Sequence, residues 1–213
     1  GLVSYYGRLG YSYMSKYMVQ ANLRADGSSR FGKDNRYGYF PSISAAWRFT
    51  EEGFLRAGHF LNDGKLRLSV GQTGNEAIGN YTSQGEGSMG ANYLDNSGAA
   101  PTVMPNTGLT WETSTQYDLG LDLSLLDSRI SITADAYIKS TRNLLFAVPI
   151  PETTGFESIT QNIGKIQNRG FELAITTKNI NTNDFKWSST FNIGLNRNKI
   201  QSLPEEVLTN GYI

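Results

Sequence analysis

Apolar and polar residues alternate along this chain with a period of two, segment after segment. From Tyr5 the odd positions read Tyr5, Gly7, Leu9, Tyr11 and Tyr13, against Ser4, Tyr6, Arg8, Gly10 and Ser12. The next segment sets Tyr17, Val19, Ala21, Leu23 and Ala25 against Gln20, Asn22, Arg24 and Asp26. Tyr39, Pro41, Ile43, Ala45, Trp47 and Phe49 follow, then the shorter Leu66, Leu68 and Val70. The clearest segment sets Tyr117, Leu119, Leu121, Leu123 and Leu125 against Gln116, Asp118, Gly120, Asp122 and Ser124. Ile130–Ile138, Phe171–Ile175 and Phe185–Leu195 complete the set. Successive side chains of a strand point to opposite faces, so this pattern predicts about eight strands, each with one apolar and one polar face. No helical repeat competes over a comparable stretch.

The connections alternate too. Ser15–Lys16, Leu126–Ser128 and Asn179–Asp184 are short, whereas Gly27–Gly38, Gln72–Glu112, Ser140–Arg169 and the tail from Arg197 are long. Thr50–Gly64 is the exception, a longer link on the short-turn side with room for a helical turn. Strands of roughly 10 residues joined alternately by short turns and long loops are the mark of an outer-membrane β-barrel. Aromatic placement agrees. On the apolar parity, Tyr13, Tyr17, Trp47, Phe49, Phe185 and Trp187 lie near the short turns, and Tyr5, Tyr39, Tyr117 and Phe171 near the long loops. Aliphatic residues fill the band between, as lipid and its two headgroup levels require. A soluble sandwich would instead gather its large aromatics in mid-core.

Composition narrows the field. Nineteen basic residues balance nineteen acidic ones, so the electrostatic footprint of a nucleic-acid binder is missing. Cysteine is absent and histidine occurs once, which removes thiolate chemistry and multi-histidine metal sites from this chain. No apolar run approaches ~18 residues, so helical membrane spans are excluded while barrel strands are not.

Several runs resemble a known family. They are Ser4–Tyr13; Leu23-Arg24-Ala25-Asp26-Gly27-Ser28-Ser29-Arg30-Phe31-Gly32; Tyr39–Arg48; Leu66–Asn75; Leu109-Thr110-Trp111-Glu112; and Asn162–Leu173. In order and wording they resemble SusC/RagA-type TonB-linked outer-membrane proteins. The resemblance implies an all-β fold: an antiparallel transmembrane β-barrel segment of about eight strands, taken from a larger barrel of about 22 strands with a plugged lumen. It assigns residues 1–213 to the barrel domain, with no plug, TonB-contacting segment or signal peptide among them. It implies a bacterial outer-membrane importer, not an enzyme and without a cofactor. Its partners would be a SusD-like lipoprotein, the TonB complex, the lipid bilayer and an oligosaccharide or peptide ligand. Siderophore or vitamin receptors, a self-contained eight-stranded barrel and a soluble β-rich enzyme domain are the competing readings.

Chemical motifs add little against that background. Gly85-Glu86-Gly87-Ser88-Met89-Gly90 matches a dinucleotide fingerprint but lacks the strand before it and the helix after it, so it reads as a flexible loop. His59 has no evident partner. Glu51-Glu52 and Glu205-Glu206 are adjacent carboxylates, expected on solvated faces, and not a pair flanking a sugar. Asp26, Asp34 and Asp95 lack the spacing of a Ca²⁺ loop. On the polar parity, Arg8, Arg24, Arg48, Arg67, Asp118, Asp122, Asp135, Lys139, Glu172 and Lys186 would face the lumen, mostly as salt bridges between strands or to a plug.

Recognition is therefore expected in the long loops. Tyr81, Tyr93 and Trp111 are the candidates for ligand contact, because aromatic faces stack on sugar rings. Leu144, Leu145, Phe146 and Val148 form the candidate patch for a lid protein.

Overall fold

A computed structural model describes residues 1–53, 60–89 and 98–203. In chain order the strands are β1 (Leu2–Tyr13), β2 (Tyr17–Ser28), β3 (Tyr37–Arg48), β4 (Leu61–Asn75), β5 (Glu86–Met89) and β6 (Ala99–Met104). They continue as β7 (Glu112–Leu125), β8 (Ile130–Arg142), β9 (Leu145–Pro149), β10 (Ser158–Asn162), β11 (Lys165–Asn181) and β12 (Lys186–Ser202). The eight long strands form one sheet in the order β1-β2-β3-β4-β7-β8-β11-β12, with every neighbouring pair antiparallel. They are the segments that the alternating pattern marks.

The cross-strand register brings the faces together. Tyr13, Tyr17, Trp47, Leu66, Leu121, Ala134, Leu173 and Ile193 align across all eight strands. One step along, Ser12, Met18, Ala46, Arg67, Gly120, Asp135, Glu172 and Gly194 align on the opposite face. A slip of one residue in any strand would exchange the two sets, so the apolar face specifies the pairing.

That apolar face is bare. Leu9 is 79% exposed, Leu195 61% and Leu119 47%, while the buried apolar core of the described residues consists of Phe31, Phe40, Leu109 and Trp111. A sheet that leaves its aliphatic side uncovered over eight strands cannot be stable facing water. Lipid is the environment that suits it.

The polar face carries ion pairs. Arg67 donates from Nε and Nη2 to the two oxygens of Asp122 at 2.9 and 3.0 Å, and from Nη2 to Asp135 at 2.9 Å. Lys65 reaches Asp122 at 3.0 Å. Gly120 sits under this cluster because a Cβ there would stand 2.5 Å from Asp135 Oδ1 and 2.6 Å from Arg67 Cζ. Four charges thus share three strands, β4, β7 and β8.

On the short-turn side, a 3-10 turn at Phe49–Glu51 occupies the Thr50–Gly64 link. Glu52, expected on a solvated face, is instead a clamp. Its carboxylate accepts the Tyr17 hydroxyl and the Trp47 indole N–H (3.2 Å), and lies 3.6 Å from Lys16 Nζ. The Tyr17 hydroxyl, then the Trp47 N–H, hold the Glu52 carboxyl below its ordinary range. The β1–β2 turn and the β3–β4 link are tied together by one side chain.

Candidate functional site

At the other end, the long connections do not hang free. Gln72–Glu112 and Ser140–Arg169, expected as loops, contain β5, β6, β9 and β10. These form a second sheet, β5-β6-β10-β9, in which β6 and β10 run parallel and the other pairs antiparallel. The two connections are therefore stitched into one cap. The Gly85–Met89 stretch, read as a flexible loop, is the turn into β5 and β5 itself; Gly85 takes φ +94°, a glycine conformation.

The cap is built on the ends of β2 and β3. Asp26 is buried and takes Arg24 Nε at 2.7 Å, so it is not an open Ca²⁺ ligand. Buried Ser28 accepts the Arg30 backbone N–H at 3.2 Å. Arg30 then spans to the next connection, donating to the Glu76 carbonyl at 3.1 Å and the Asn80 side chain at 3.3 Å. Phe31 turns inward onto Trp111, with ring centroids 5.1 Å apart, and Phe40 meets Trp111 edge-on at 5.5 Å. Phe40 lies over Gly74, where a Cβ would come within 2.0 Å of its ring. Room for that ring exists because β3 and β4 part company: their ladder begins at Ser42↔Gly71, whereas β2–β3 continues to Gly27↔Tyr37. Pro41, which has no N–H to give, stands at the point of parting.

Two amides and a carboxylate lock the cap. Asn162 Nδ2 donates to the carbonyls of Thr110 (2.7 Å) and Asn143 (3.1 Å), while its Oδ1 accepts the Thr110 N–H at 2.7 Å. Asn106 Nδ2 donates to the Thr160 carbonyl at 2.9 Å. Glu112 accepts the Asn75 amide and the Leu145 backbone N–H at 3.2 and 3.3 Å. Pattern reasoning does not find these residues, because their partners are remote in sequence.

The candidate recognition residues separate. Trp111 is only 7% exposed and donates its indole N–H to the Arg36 carbonyl at 3.2 Å, so it holds the cap together and offers no face to a ligand. Tyr93 lies outside the described residues, as do His59, Asp95, Gly90, Glu205 and Glu206. Tyr81 is 68% exposed. Its φ of +70° is an outlier for a bulky residue. The Gln84 N–H on its carbonyl (2.7 Å) and buried Ser83, bonded to the Arg30 carbonyl, fix it there. The apolar patch also divides. Phe146 is exposed, Leu144 and Val148 are half-buried, and Leu145 packs against the Phe31–Trp111 cluster. Alternation within β9 turns Leu145 in and Phe146 out.

Beneath the cap, the polar face of β1–β4 forms a trough lined by Tyr6, Arg8, Asn22, Arg24, Gln72 and Thr73 among others. Arg8 donates to Asn22 at 3.1 Å and Asn22 to Ser42 at 3.0 Å. Aromatic, amide and guanidinium groups side by side suit a hydroxylated or amide-bearing solute.

These strands and this cap follow a known protein family along their whole length: TonB dependent receptor-like β-barrels match residues 2–211. The chain belongs to that family. TonB-dependent receptor P39 of Formosa agariphila is 42% identical over 100% of this chain and 21% of its own length. TonB-dependent receptor SusC of Bacteroides thetaiotaomicron is 42% identical over 95% of this chain and 21% of its own. The solved RagAB peptide transporter superposes with a TM-score of 0.86 at 30% identity, covering 95% of this chain and 22% of that one. The chain thus spans about a fifth of these relatives. Its eight-stranded sheet is a segment of an outer-membrane TonB-dependent receptor barrel, with the apolar face toward lipid and the ion pairs toward the lumen. In such a barrel the longer connections are extracellular, which puts the cap outside the cell.

Proposed function

We propose that the full protein imports glycans or peptides across the outer membrane in a TonB-dependent manner, together with a SusD-like surface lipoprotein, and that its role is transport and not catalysis. The carrying observation is that the similarity runs through the cap as well as the strands: 42% identity to SusC holds over 95% of this chain. Barrel strands alone are constrained by lipid, whereas the Asn162, Glu112 and Trp111 contacts describe one particular loop architecture. RagAB is a peptide transporter, and the SusC/RagA resemblance adds glycans as the second cargo class. The fixed, exposed Tyr81 and the polar trough supply stacking and hydrogen-bonding groups for either. Phe146 supplies an apolar contact for the lipoprotein.

Deleting the gene for the full-length protein, then measuring growth on defined glycans and on peptides, tests this reading. Growth should fail on one of these classes and return on complementation. Unchanged growth on all of them, with a defect only under iron limitation, would show a siderophore receptor instead. Full-length protein should also co-purify a surface lipoprotein, and Phe146→Ser should weaken that capture.

A further inference from the structure

We infer that Tyr81 is the stacking platform for a pyranose ring of the imported cargo, and that Arg30 is the residue that positions it. The inference rests on the import reading above and narrows the cargo to carbohydrate.

Tyr81 is held in a conformation that a tyrosine resists. Its φ of +70° and ψ of 1° lie in the left-handed region, where a Cβ crowds the carbonyl oxygen and glycine or asparagine is the ordinary occupant. Burial does not offset the strain, because the residue is 68% exposed. A turn that only had to reverse the chain would be better served by glycine. Strain of this kind gathers where a side chain is presented to a ligand.

The chain on either side of the ring is fixed through Arg30, itself anchored at the end of β2 by the bond from its N–H to Ser28. Its Nη1 donates to the Glu76 carbonyl at 3.1 Å and lies 3.6 Å from the Glu76 carboxylate, while its Nε donates to Asn80 Oδ1 at 3.3 Å. Its own carbonyl accepts the hydroxyl of buried Ser83 at 2.8 Å, and buried Thr82 donates to Glu86. Asn80 is thus tied to Arg30, Thr82 and Ser83 turn into the cap, and the left-handed step between them sends the Tyr81 ring outward. The chemistry beside the ring favours a sugar. Asn80 is exposed and its Oδ1 is taken by Arg30, so the NH2 end of the amide is the end offered to a solute. Amide donors next to an aromatic face suit a pyranose, whose hydroxyls accept and whose C–H face stacks. An apolar protein partner would cover that amide and leave it unsatisfied.

The test titrates neutral heptasaccharides of α-glucan, β-glucan, mannan, xylan and galactan into the purified full-length protein, and follows the cap by its rate of proteolysis. At least one heptasaccharide should bind, and Tyr81→Gly should bind it about fivefold more weakly. The cap of Tyr81→Gly should nevertheless be cut no faster than that of the unsubstituted protein, because glycine relieves the strain. Tyr81→Phe, which keeps the ring, should bind normally. Arg30→Gln should weaken binding when Tyr81 is present and have no further effect on top of Tyr81→Gly, since a positioning residue acts only through the group it positions. Undiminished binding by Tyr81→Gly would overturn the proposal, and so would weaker binding accompanied by faster cleavage, which would make Tyr81 a structural residue. Additive losses in the double variant would overturn the role of Arg30. Intact heptasaccharide binding with lost capture of the surface lipoprotein would assign the ring to the protein partner instead. Binding of none of the heptasaccharides by the unsubstituted protein would overturn the carbohydrate assignment. Failure of the import reading shows separately, in the growth of the deletion strain, which no property of Tyr81 affects.

Discussion

Adjacent residues of β7 meet opposite environments, and single substitutions should report it. Leu121 lies in the apolar row and Asp122 in the Arg67 cluster. Leu121→Arg places a charge on the lipid face and should cost about 2–4 kcal/mol at the bilayer midplane. Asp122→Asn should cost about 1 kcal/mol, since the pair is partly exposed and Arg67 keeps Asp135. Urea unfolding of the full-length protein in bilayers measures both, and equal costs would contradict the assignment of faces. Glu52 supplies a pH-dependent counterpart. Its carboxyl is depressed in the folded state, so its contribution is complete above the ordinary value of 4.5 and fades as pH falls through the lower folded value. The unfolding midpoint of Glu52→Gln should therefore lie below that of the unsubstituted protein at neutral pH. The gap should narrow only below about pH 4.5. A constant gap down to strongly acid pH would show that the carboxylate charge is irrelevant to the clamp.

At the scale of elements, what was legible and what was not follow from where each element finds its partners. The long strands could be read because each has a lipid side and a water side, and that constraint is written every second residue. β5, β6, β9 and β10 could not, because they are four to six residues long and pair across connections far apart in sequence. β6 against β10, the parallel pair, joins Val103 to Ser158. Trp111 misled for the same reason: nothing near it in the chain announces that Phe31 and Phe40 will enclose it. Asn162 tests whether the cap is a unit. Asn162→Ala removes three hydrogen bonds, two of them to the half-buried Thr110 backbone, each worth about 0.5–1.5 kcal/mol. Proteolysis in intact cells should then cut within 98–112 or 143–162 faster than in the unsubstituted protein, while heat-modifiable migration of the barrel stays unchanged. Cleavage at the unsubstituted rate would mean that the second sheet holds the cap without this amide.

For the whole molecule, the orientation of the sheet decides what each face can do. β1 and β12 are its two edges, and an open edge cannot be left in hydrocarbon, so the segment needs flanking strands to complete a barrel. The cap and the lumen trough both take their meaning from which face meets lipid. Nitroxide labels placed singly at positions 116, 117, 118, 119, 121, 122 and 123 of the full-length protein in bilayers measure this directly, by collision with oxygen or with a water-soluble nickel chelate. Oxygen should prevail at 117, 119, 121 and 123 and the nickel chelate at 116, 118 and 122, in strict alternation. A profile without that two-residue period, or with its phase inverted, would contradict the account.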